Sequence, residues 1–400
     1  MMWWRQHWRT LTLSAVHALS LAFLTLVWMN LSWEFGDEVI VARINQIARY
    51  EIFNPTNKVV EQFKKDLLLI NTSYDKALID YEDDFGAGNK PVTDRKKLAD
   101  FFHMMNQSEH QPTLVVVDII FDNPSPTDSL LQAELEKIDN LVISSQLGKD
   151  GTPVRPWPKL NFALAQYETT TGTFLKYNLV NDSIHYLPTA MYRETQGTKF
   201  REWAGVVRSD PGWWMNSFIV DLPVRKAHID NGEVLIWNLG DALSFPPDEV
   251  KAITGNKIII VGDIYEYDIH PTLLGQQPGP LIVANAYLGM LQGIPRIKLL
   301  DGFLIFLLYF VSTIYVLQWR RHKEKLMIIP GRVKVGKFAV KYLTYILIFS
   351  LYSIFLYLLT SRHFQLLIFG LYFNLFEYLV DRYKPVGIEQ ALRTEVSNVD

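Results

Sequence analysis

The chain has 400 residues, with 39 Lys and Arg against 42 Asp and Glu, and it contains no cysteine. This near-neutral balance lacks the basic footprint of a nucleic-acid-binding protein. The absence of cysteine excludes disulfides, thiolate metal sites and cysteine nucleophiles. Apolar residues crowd both ends of the chain, whereas the middle has the composition of a soluble domain, so the ends and the middle predict different kinds of structure.

Residues 11–31 form the first predicted membrane span and follow a short N-terminus, residues 1–10. The segment has no Asp, Glu, Lys or Arg, and a bilayer core of about 30 Å needs roughly 20 such residues. Arg5 and Arg9 precede it and acidic residues follow it, which predicts a cytoplasmic N-terminus. The apolar run is longer than a typical signal-peptide core and no A-x-A site follows, so an uncleaved anchor is favoured over a cleaved signal peptide.

Three further spans are predicted at residues 299–317, 342–360 and 364–380. The loop between the first two of these, residues 318–341, is rich in Lys and Arg and marks the cytoplasmic side. The tail, residues 381–400, is then also cytoplasmic, and residues 36–298 lie outside. This arrangement favours a multi-pass protein of a bacterial inner membrane, or of another plasma membrane, with the lipid bilayer as its first partner.

The exported residues 36–298 alternate strand-like apolar runs with helical patterns. This alternation predicts an α/β domain with a mixed, largely parallel sheet and flanking helices, in addition to four transmembrane helices. The predicted strands are residues 67–70, 113–121, 141–145 and 257–262, and the predicted helices are residues 95–105, 128–138 and 279–293. Residues 217–227 fit either a helix or a strand.

Five polar residues follow the apolar runs and are candidate ligand-binding residues: Asp118, Asp122, Asp263, Asp268 and His270. Residues beyond the carboxyl ends of strands line a crevice in open α/β sheets. Carboxylates and an imidazole there would suit a cation, a small polar ligand or acid–base chemistry. The alternative is structural, because aspartates also cap loops and a histidine can hold a turn by bonding a carboxylate. No H-E-x-x-H, G-x-S-x-G or P-loop motif is present, and the metal and cofactor remain open.

A second group of candidates surrounds the turn "SDPG". Arg208 and Asp210 lie beside the adjacent pair Trp213 and Trp214. Adjacent tryptophans at a turn suit three roles, which are binding a partner, stacking on a sugar and filling a core.

Three stretches of the exported part resemble the type-two CHASE family of extracytoplasmic sensory domains. They are "VTDRKKLADFF", "VVVDIIFDNPSPTDSLLQAEL" and "KIIIVGDIYEYDIHPTLLGQQPGPLIVANAYLGMLQG". In the third, Asp268, His270 and Thr272 fill an Asp-x-His-x-Thr element, although Leu273 stands where the family often has Pro. Asp94 stands where the family typically has Pro before Arg95. The resemblance covers about residues 36–298, and three following spans are also usual in the family.

The resemblance implies a sensor that detects an outside signal and passes it to a cytoplasmic output domain. The predicted cytoplasmic parts are short, so we expect a separate cytoplasmic or membrane protein to supply the output, and we expect no enzymatic activity in this chain. Sensors of this layout often act as homodimers, but no long heptad repeat is present. The alternatives are a docking subunit of an envelope complex and an enzyme that acts outside the membrane.

Overall fold

The computed structural model of the protein describes residues 2–32, 36–53, 58–83, 86–107, 111–155, 157, 159–167, 169, 172–203, 205–210, 212–319, 334–364 and 366–383. Most of the predicted basic loop, residues 320–333, and of the predicted tail, residues 384–400, lies outside the described residues. The chain divides into two compact units, residues 30–297 and residues 1–29 together with 298–400.

The described helices and strands are numbered here in chain order. The helices are α1 Met2–Met29, α2 Gly36–Ile47, α3 Lys58–Asp66, α4 Arg95–Asn106, α5 Asp128–Leu135, α6 Leu187–Gln196, α7 Lys226–Asp230, α8 Leu239–Ala242, α9 Pro247–Thr254, α10 Gly279–Leu291, α11 Leu299–Ile314, α12 Lys334–Thr360 and α13 Leu367–Tyr383. The strands are β1 Leu67–Asn71, β2 Lys76–Asp83, β3 Gly86–Thr93, β4 Leu114–Asp118, β5 Leu141–Ser145, β6 Phe162–Leu164, β7 Lys176–Asn178, β8 Val180–Asn181, β9 Ile184–His185, β10 Phe200–Trp203, β11 Val206–Ser209, β12 Gly212–Met215, β13 Ser217–Ile219, β14 Ile236–Asn238, β15 Ile258–Gly262, β16 Ile269–Thr272 and β17 Gly275–Pro278. Short π-helical segments extend α2 and α11.

Residues 30–297 form an α/β region around a six-stranded sheet in the order β14-β1-β15-β4-β5-β6. Every pair of neighbouring strands in this sheet is parallel. The last strand in sequence, β15, lies between β1 and β4, so the three central strands end at the same edge. The predicted α/β architecture is therefore confirmed as a parallel sheet flanked by helices.

The central strands are buried on both faces, and alternate residues face different cores. Ile258 and Ile260 of β15 join one core, which also contains apolar residues of α6 and α10. Ile259 and Val261 join the other core, with residues of α4, α5 and α9. This burial on both faces explains why these strands are almost continuous apolar runs.

Most of the helices and strands predicted around the sheet are confirmed in type, but some begin or end at other residues than predicted. The strand predicted at residues 113–121 ends at Asp118, because the chain turns away there and the next residues line a crevice instead. The helix predicted at residues 128–138 ends at Leu135. Residues 217–227, which fit either type, begin with β13 and end in α7, so they contain both.

The other unit, residues 1–29 with 298–400, contains long apolar helices. Two described segments, Trp8–Met29 and Leu299–Leu317, have the length and hydropathy needed to cross a membrane, a test that a signal sequence or a buried core helix also passes. The apolar parts of α12 and α13, Thr344–Thr360 and Leu367–Val380, are shorter than that test requires. The four-span arrangement therefore stays a prediction.

Candidate functional site

A cavity of about 500 Å³ lies at the carboxyl edge of the six-stranded sheet. Its wall includes Asp118 at the end of β4, Asp263 directly after β15, and Asp268 with His270 near the start of β16. Loops in open α/β sheets bind ligands at this edge. Its volume is in the range of cavities that hold a small molecule.

Asp118 is the carboxylate placed by the sheet itself. Its Oδ1 accepts a hydrogen bond of 2.7 Å from the hydroxyl of Ser144, on the neighbouring strand β5. The residue is partly exposed, towards the cavity, and most of its surface is buried. This burial raises the pKa of Asp118 to about 7, with a further contribution from the negative charge of Asp268. Asp118 can therefore hold or release a proton near neutral pH.

Asp268, His270 and Tyr167 form a continuous hydrogen-bonded chain. The Nε2 atom of His270 lies 2.6 Å from Oδ1 of Asp268, and its Nδ1 atom lies 2.6 Å from the hydroxyl of Tyr167. The charged carboxylate favours the tautomer with the proton on Nε2, so that Nδ1 accepts from Tyr167. The hairpin of β16 and β17 pairs His270 with Gln277 and fixes the backbone of this chain.

Asp263 has a different environment and organises loops. It accepts hydrogen bonds from the Ser73 hydroxyl at 2.7 Å, the Lys76 ammonium at 2.9 Å and the Glu266 N–H at 2.9 Å. Burial alone would raise the pKa of Asp263, but these hydrogen bonds outweigh it and lower the pKa. Asp263 is therefore a charged, saturated group that ties the loop after β1 to the loop after β15, which is the structural role left open by the sequence.

Four of the seven predicted site residues come together at the cavity, namely Asp118, Asp263, Asp268 and His270. The other three do not line it. Asp122 is exposed, because the chain has left the sheet edge four residues after Asp118. Arg208 and Asp210, which the sequence placed in a second group of candidates, lie on and beside β11 of a separate three-stranded antiparallel sheet.

The sequence did not single out several residues of the cavity wall. Lys76 lies five residues beyond the end of β1, and the Lys76 ammonium lies 5.1 Å from the ring centroid of Tyr267. Tyr167 follows β6, a three-residue strand that is too short to give a period-two pattern. Tyr177 also lines the cavity, and burial raises the pKa of its hydroxyl. Of these residues, Lys76 alone had a signal in the sequence that could have revealed it, namely its position shortly after the end of a predicted strand.

Thr72 adds an unsatisfied polar atom to this wall. The residue is fully buried, and its hydroxyl oxygen has no hydrogen-bond partner among the described residues. Buried polar atoms are nearly always paired in folded proteins. The hydroxyl lies behind the surface of the cavity wall, because Thr72 is fully buried.

No group of three or more His, Cys, Asp or Glu side chains within the described part of the chain is placed to hold a metal ion. Comparison of the chain with protein-family models, with curated proteins and with solved structures gives no match.

Proposed function

We propose that this protein is a membrane-anchored sensor or regulatory subunit. Its exported α/β domain binds a small polar molecule in the cavity at the carboxyl edge of the sheet. A separate cytoplasmic or membrane protein supplies the output. The observation that carries the proposal is the cavity itself, whose wall combines the carboxylates of Asp118 and Asp268 with His270.

The chemistry of the wall favours a ligand that donates hydrogen bonds. Asp263 is neutralised by Lys76, and Asp268 is engaged on one side by His270. Asp118 is the carboxylate with the most remaining capacity, since the Ser144 hydroxyl is its described side-chain donor. The tyrosines of the wall offer faces on which a cationic or apolar part can pack. A small amine or polyhydroxylated molecule fits this combination.

A series of contacts leads from the cavity to the helix that follows the first predicted span. The ring of Tyr167 packs edge-on against Phe174 at 4.8 Å, and the Phe174 N–H donates to the Pro271 carbonyl at 2.7 Å. Two residues later, Lys176 makes a buried ion pair of 2.9 Å with Glu38 of α2. A ligand that moves Tyr167 would therefore act on α2 through three steps of direct contact.

Contacts within the helical unit support the proposed topology. Arg362, in the connection between α12 and α13, pairs with Asp301 in the first turn of α11 at 2.6 Å. This contact is consistent with the proposed arrangement, in which the start of the second span and the hairpin of the last two spans lie at the same membrane surface. His17, the ionisable residue of the first span, bonds Thr313 and Tyr372 at 2.9 and 2.7 Å, which is how polar groups are tolerated between membrane helices.

The test is ligand-dependent stabilisation of the full chain in lipid nanodiscs. A panel of amines, amino acids, sugars and organic acids is screened by thermal unfolding, because a ligand of the native state raises the midpoint by mass action. We expect a donor-rich compound to raise it. The Asp118→Asn variant should lose this shift, whereas Asp122→Asn, an exposed neighbour outside the cavity, should keep it. Stabilisation that is equal in wild type and Asp118→Asn would contradict the proposed site.

A second candidate function is acid–base catalysis outside the membrane, and the Asp268–His270–Tyr167 chain favours it. An oriented histidine that accepts a proton from a hydroxyl is the arrangement of a general base. Incubation of the chain with candidate esters and phosphoesters tests this function, with His270→Gln as the comparison. Turnover that the His270→Gln variant lacks would favour an enzyme over a sensor.

A further inference from the structure

The three-stranded sheet of β10, β11 and β12 has one buried and one exposed face. Phe200, Val207 and Trp214 point inwards, and Trp214 is 1% exposed with its ring N–H donating to Ser209 at 2.6 Å. The opposite face carries the exposed side chains of Arg201, Trp203, Arg208 and Trp213, with the partly exposed Val206. These five residues are called the Trp-Arg face below.

The Trp-Arg face is an ordered surface, since its side chains pack on one another. Strand pairing puts Arg201, Arg208 and Trp213 in one row across the sheet. The rings of Trp203 and Trp213 lie 5.7 Å apart, and the Arg208 guanidinium lies 5.8 Å from the Trp213 ring centroid. Trp203 nevertheless remains 66% exposed and Trp213 41% exposed. Exposed apolar patches of this kind mark contact sites.

The same sheet holds both ends of residues 30–297. The Asn216 N–H donates to Oδ1 of Asn30 at 2.5 Å, and the Asn30 amide donates to the Gly205 carbonyl. At the other end, the Ile297 N–H donates to the Trp213 carbonyl at 2.8 Å. Asn30 directly follows α1, and one residue, Lys298, lies between Ile297 and the start of α11, a distance of at most about 7 Å along the chain.

We propose that the Trp-Arg face binds the phospholipid headgroup layer of the membrane that α1 and α11 cross. The inference rests on the proposed membrane topology, because that topology puts both tethered ends at the membrane surface. The headgroup zone is about 5–8 Å deep on each side of the hydrocarbon core, which is similar to the length of chain that joins this sheet to each predicted span.

The side chains of the face match the chemistry of headgroups. Tryptophan rings concentrate in this zone because they are apolar with one polar edge. Arginine presents planar donors that bind phosphate oxygens in pairs. Of the acidic neighbours, Glu202 alternates to the other side of the strand and Asp210 sits in the turn.

The absence of cysteine in the chain makes single-cysteine spin labelling a direct test. Trp203→Cys and Leu235→Cys are matched, since both parent residues are 66% exposed, and Phe303→Cys in α11 reports the bilayer. Each labelled full chain is placed in nanodiscs, and collisions of the label with oxygen and with a water-soluble nickel complex are compared. Val206→Cys repeats the measurement on the same face with both tryptophans present.

The measured quantity is the ratio of collisions with oxygen to collisions with the nickel complex. We expect this ratio for the labels at 203 and 206 to lie between the high value at 303 and the low value at 235. The double change Arg201→Gln and Arg208→Gln should shift them towards the value at 235. Labels at 203 and 206 as open to nickel as the one at 235 would overturn the inference. So would labels shielded from both reagents, since that result indicates a covering protein. A water-exposed label at 303 would instead refute the topology, and the inference with it.

Discussion

The carboxylate of Asp268 lies against Gly279 at the first turn of α10, in the space that any larger residue would need. A Cβ atom at position 279 would stand 2.0 Å from Oδ2 of Asp268. The Gly279 N–H also donates to the Asp268 carbonyl at 2.8 Å. The positive end of a helix favours a nearby negative charge, so the glycine allows the carboxylate to approach the helix and still reach His270.

The first prediction is that Gly279→Ala displaces Asp268 and breaks its contact with His270. Overpacking of this kind costs about 1–3 kcal/mol, and the cavity loses the group that orients its histidine. We expect a lower unfolding midpoint and a loss of ligand-dependent stabilisation. Gly88→Ala is the matched control, since a Cβ atom there meets nothing within 4 Å. Equal behaviour of the two variants would show that the close approach has no role.

The second prediction concerns the pH dependence of stability. Asp118 has a pKa of about 7 in the fold against 3.8 as the ordinary value, so the native state holds its proton longer than the unfolded chain. The resulting contribution to the free energy of unfolding is complete below about pH 4 and is lost as pH rises towards 7 and beyond. It amounts to a few kcal/mol at most, because one pKa unit corresponds to about 1.4 kcal/mol.

Denaturant unfolding of wild type and Asp118→Asn between pH 4 and pH 8 checks this expectation. The amide cannot ionise, so the variant should gain stability relative to wild type as pH rises. The difference in the free energy of unfolding between the two proteins also includes the electrostatic interaction of Asp118 with Asp268 and His270. The exposed Asp122→Asn variant should follow the wild-type curve. A constant difference between Asp118→Asn and wild type would mean that Asp118 is ionised throughout this range.

The third prediction concerns the buried ion pair between Lys176 and Glu38, whose side chains are 4% and 1% exposed. Lys176→Met leaves a buried carboxylate without its cation, and such a loss costs about 3–5 kcal/mol. Adding Glu38→Leu should restore most of the stability, because an apolar pair needs no compensating charge. The exposed pair of Lys64 and Glu61 is the control, since Lys64→Met should cost less than about 1 kcal/mol.

Thermal unfolding of the three variants and of the wild type measures these differences, and ligand titration adds a functional readout. If the ion pair transmits the signal, the double variant should bind ligand in the cavity and fail to activate its partner. A double variant that signals normally would remove Lys176 and Glu38 from the proposed route.

The sequence predicted the central strands well because their burial is complete. β4, β5 and β15 are short apolar runs, and covered parallel strands have that pattern. The residues after these strands, Asp118 and Asp263, were found for the same reason, since the end of an apolar run marks the carboxyl edge. Asp268 and His270 were found both from their position soon after the apolar run of β15 and through the resemblance.

Other parts of the site were hidden by the lack of a local pattern. Tyr167 reaches His270 across 103 positions of sequence, and nothing near Tyr167 signals that approach. The sequence also could not separate the two aspartates at the strand ends, because saturation of Asp263 by Ser73 and Lys76 depends on where a loop returns. The three-stranded sheet of β10, β11 and β12 was not predicted, because these strands have four residues each, too few for a clear alternation.

The last prediction concerns the pair of Asp301 and Arg362, which is 1% and 2% exposed within the helical unit. Arg362 lies in the short connection after α12, and Asp301 also accepts from the Lys298 N–H at 3.2 Å in the first turn of α11. Arg362→Leu should leave a buried carboxylate and cost about 3–5 kcal/mol. Arg382→Leu, which removes an exposed arginine near the end of α13, should have little effect.

Unfolding in mixed micelles with rising sodium dodecyl sulfate measures the loss, and the pair Asp301→Asn with Arg362→Leu should recover part of it. We expect this loss because, among the described salt bridges of the unit, the pair of Arg362 and Asp301 is the one that joins the connection after α12 to α11. Unfolding of Arg362→Leu at the same detergent fraction as Arg382→Leu would contradict this prediction. The ion pair would then not be what holds the connection after α12 against the start of α11.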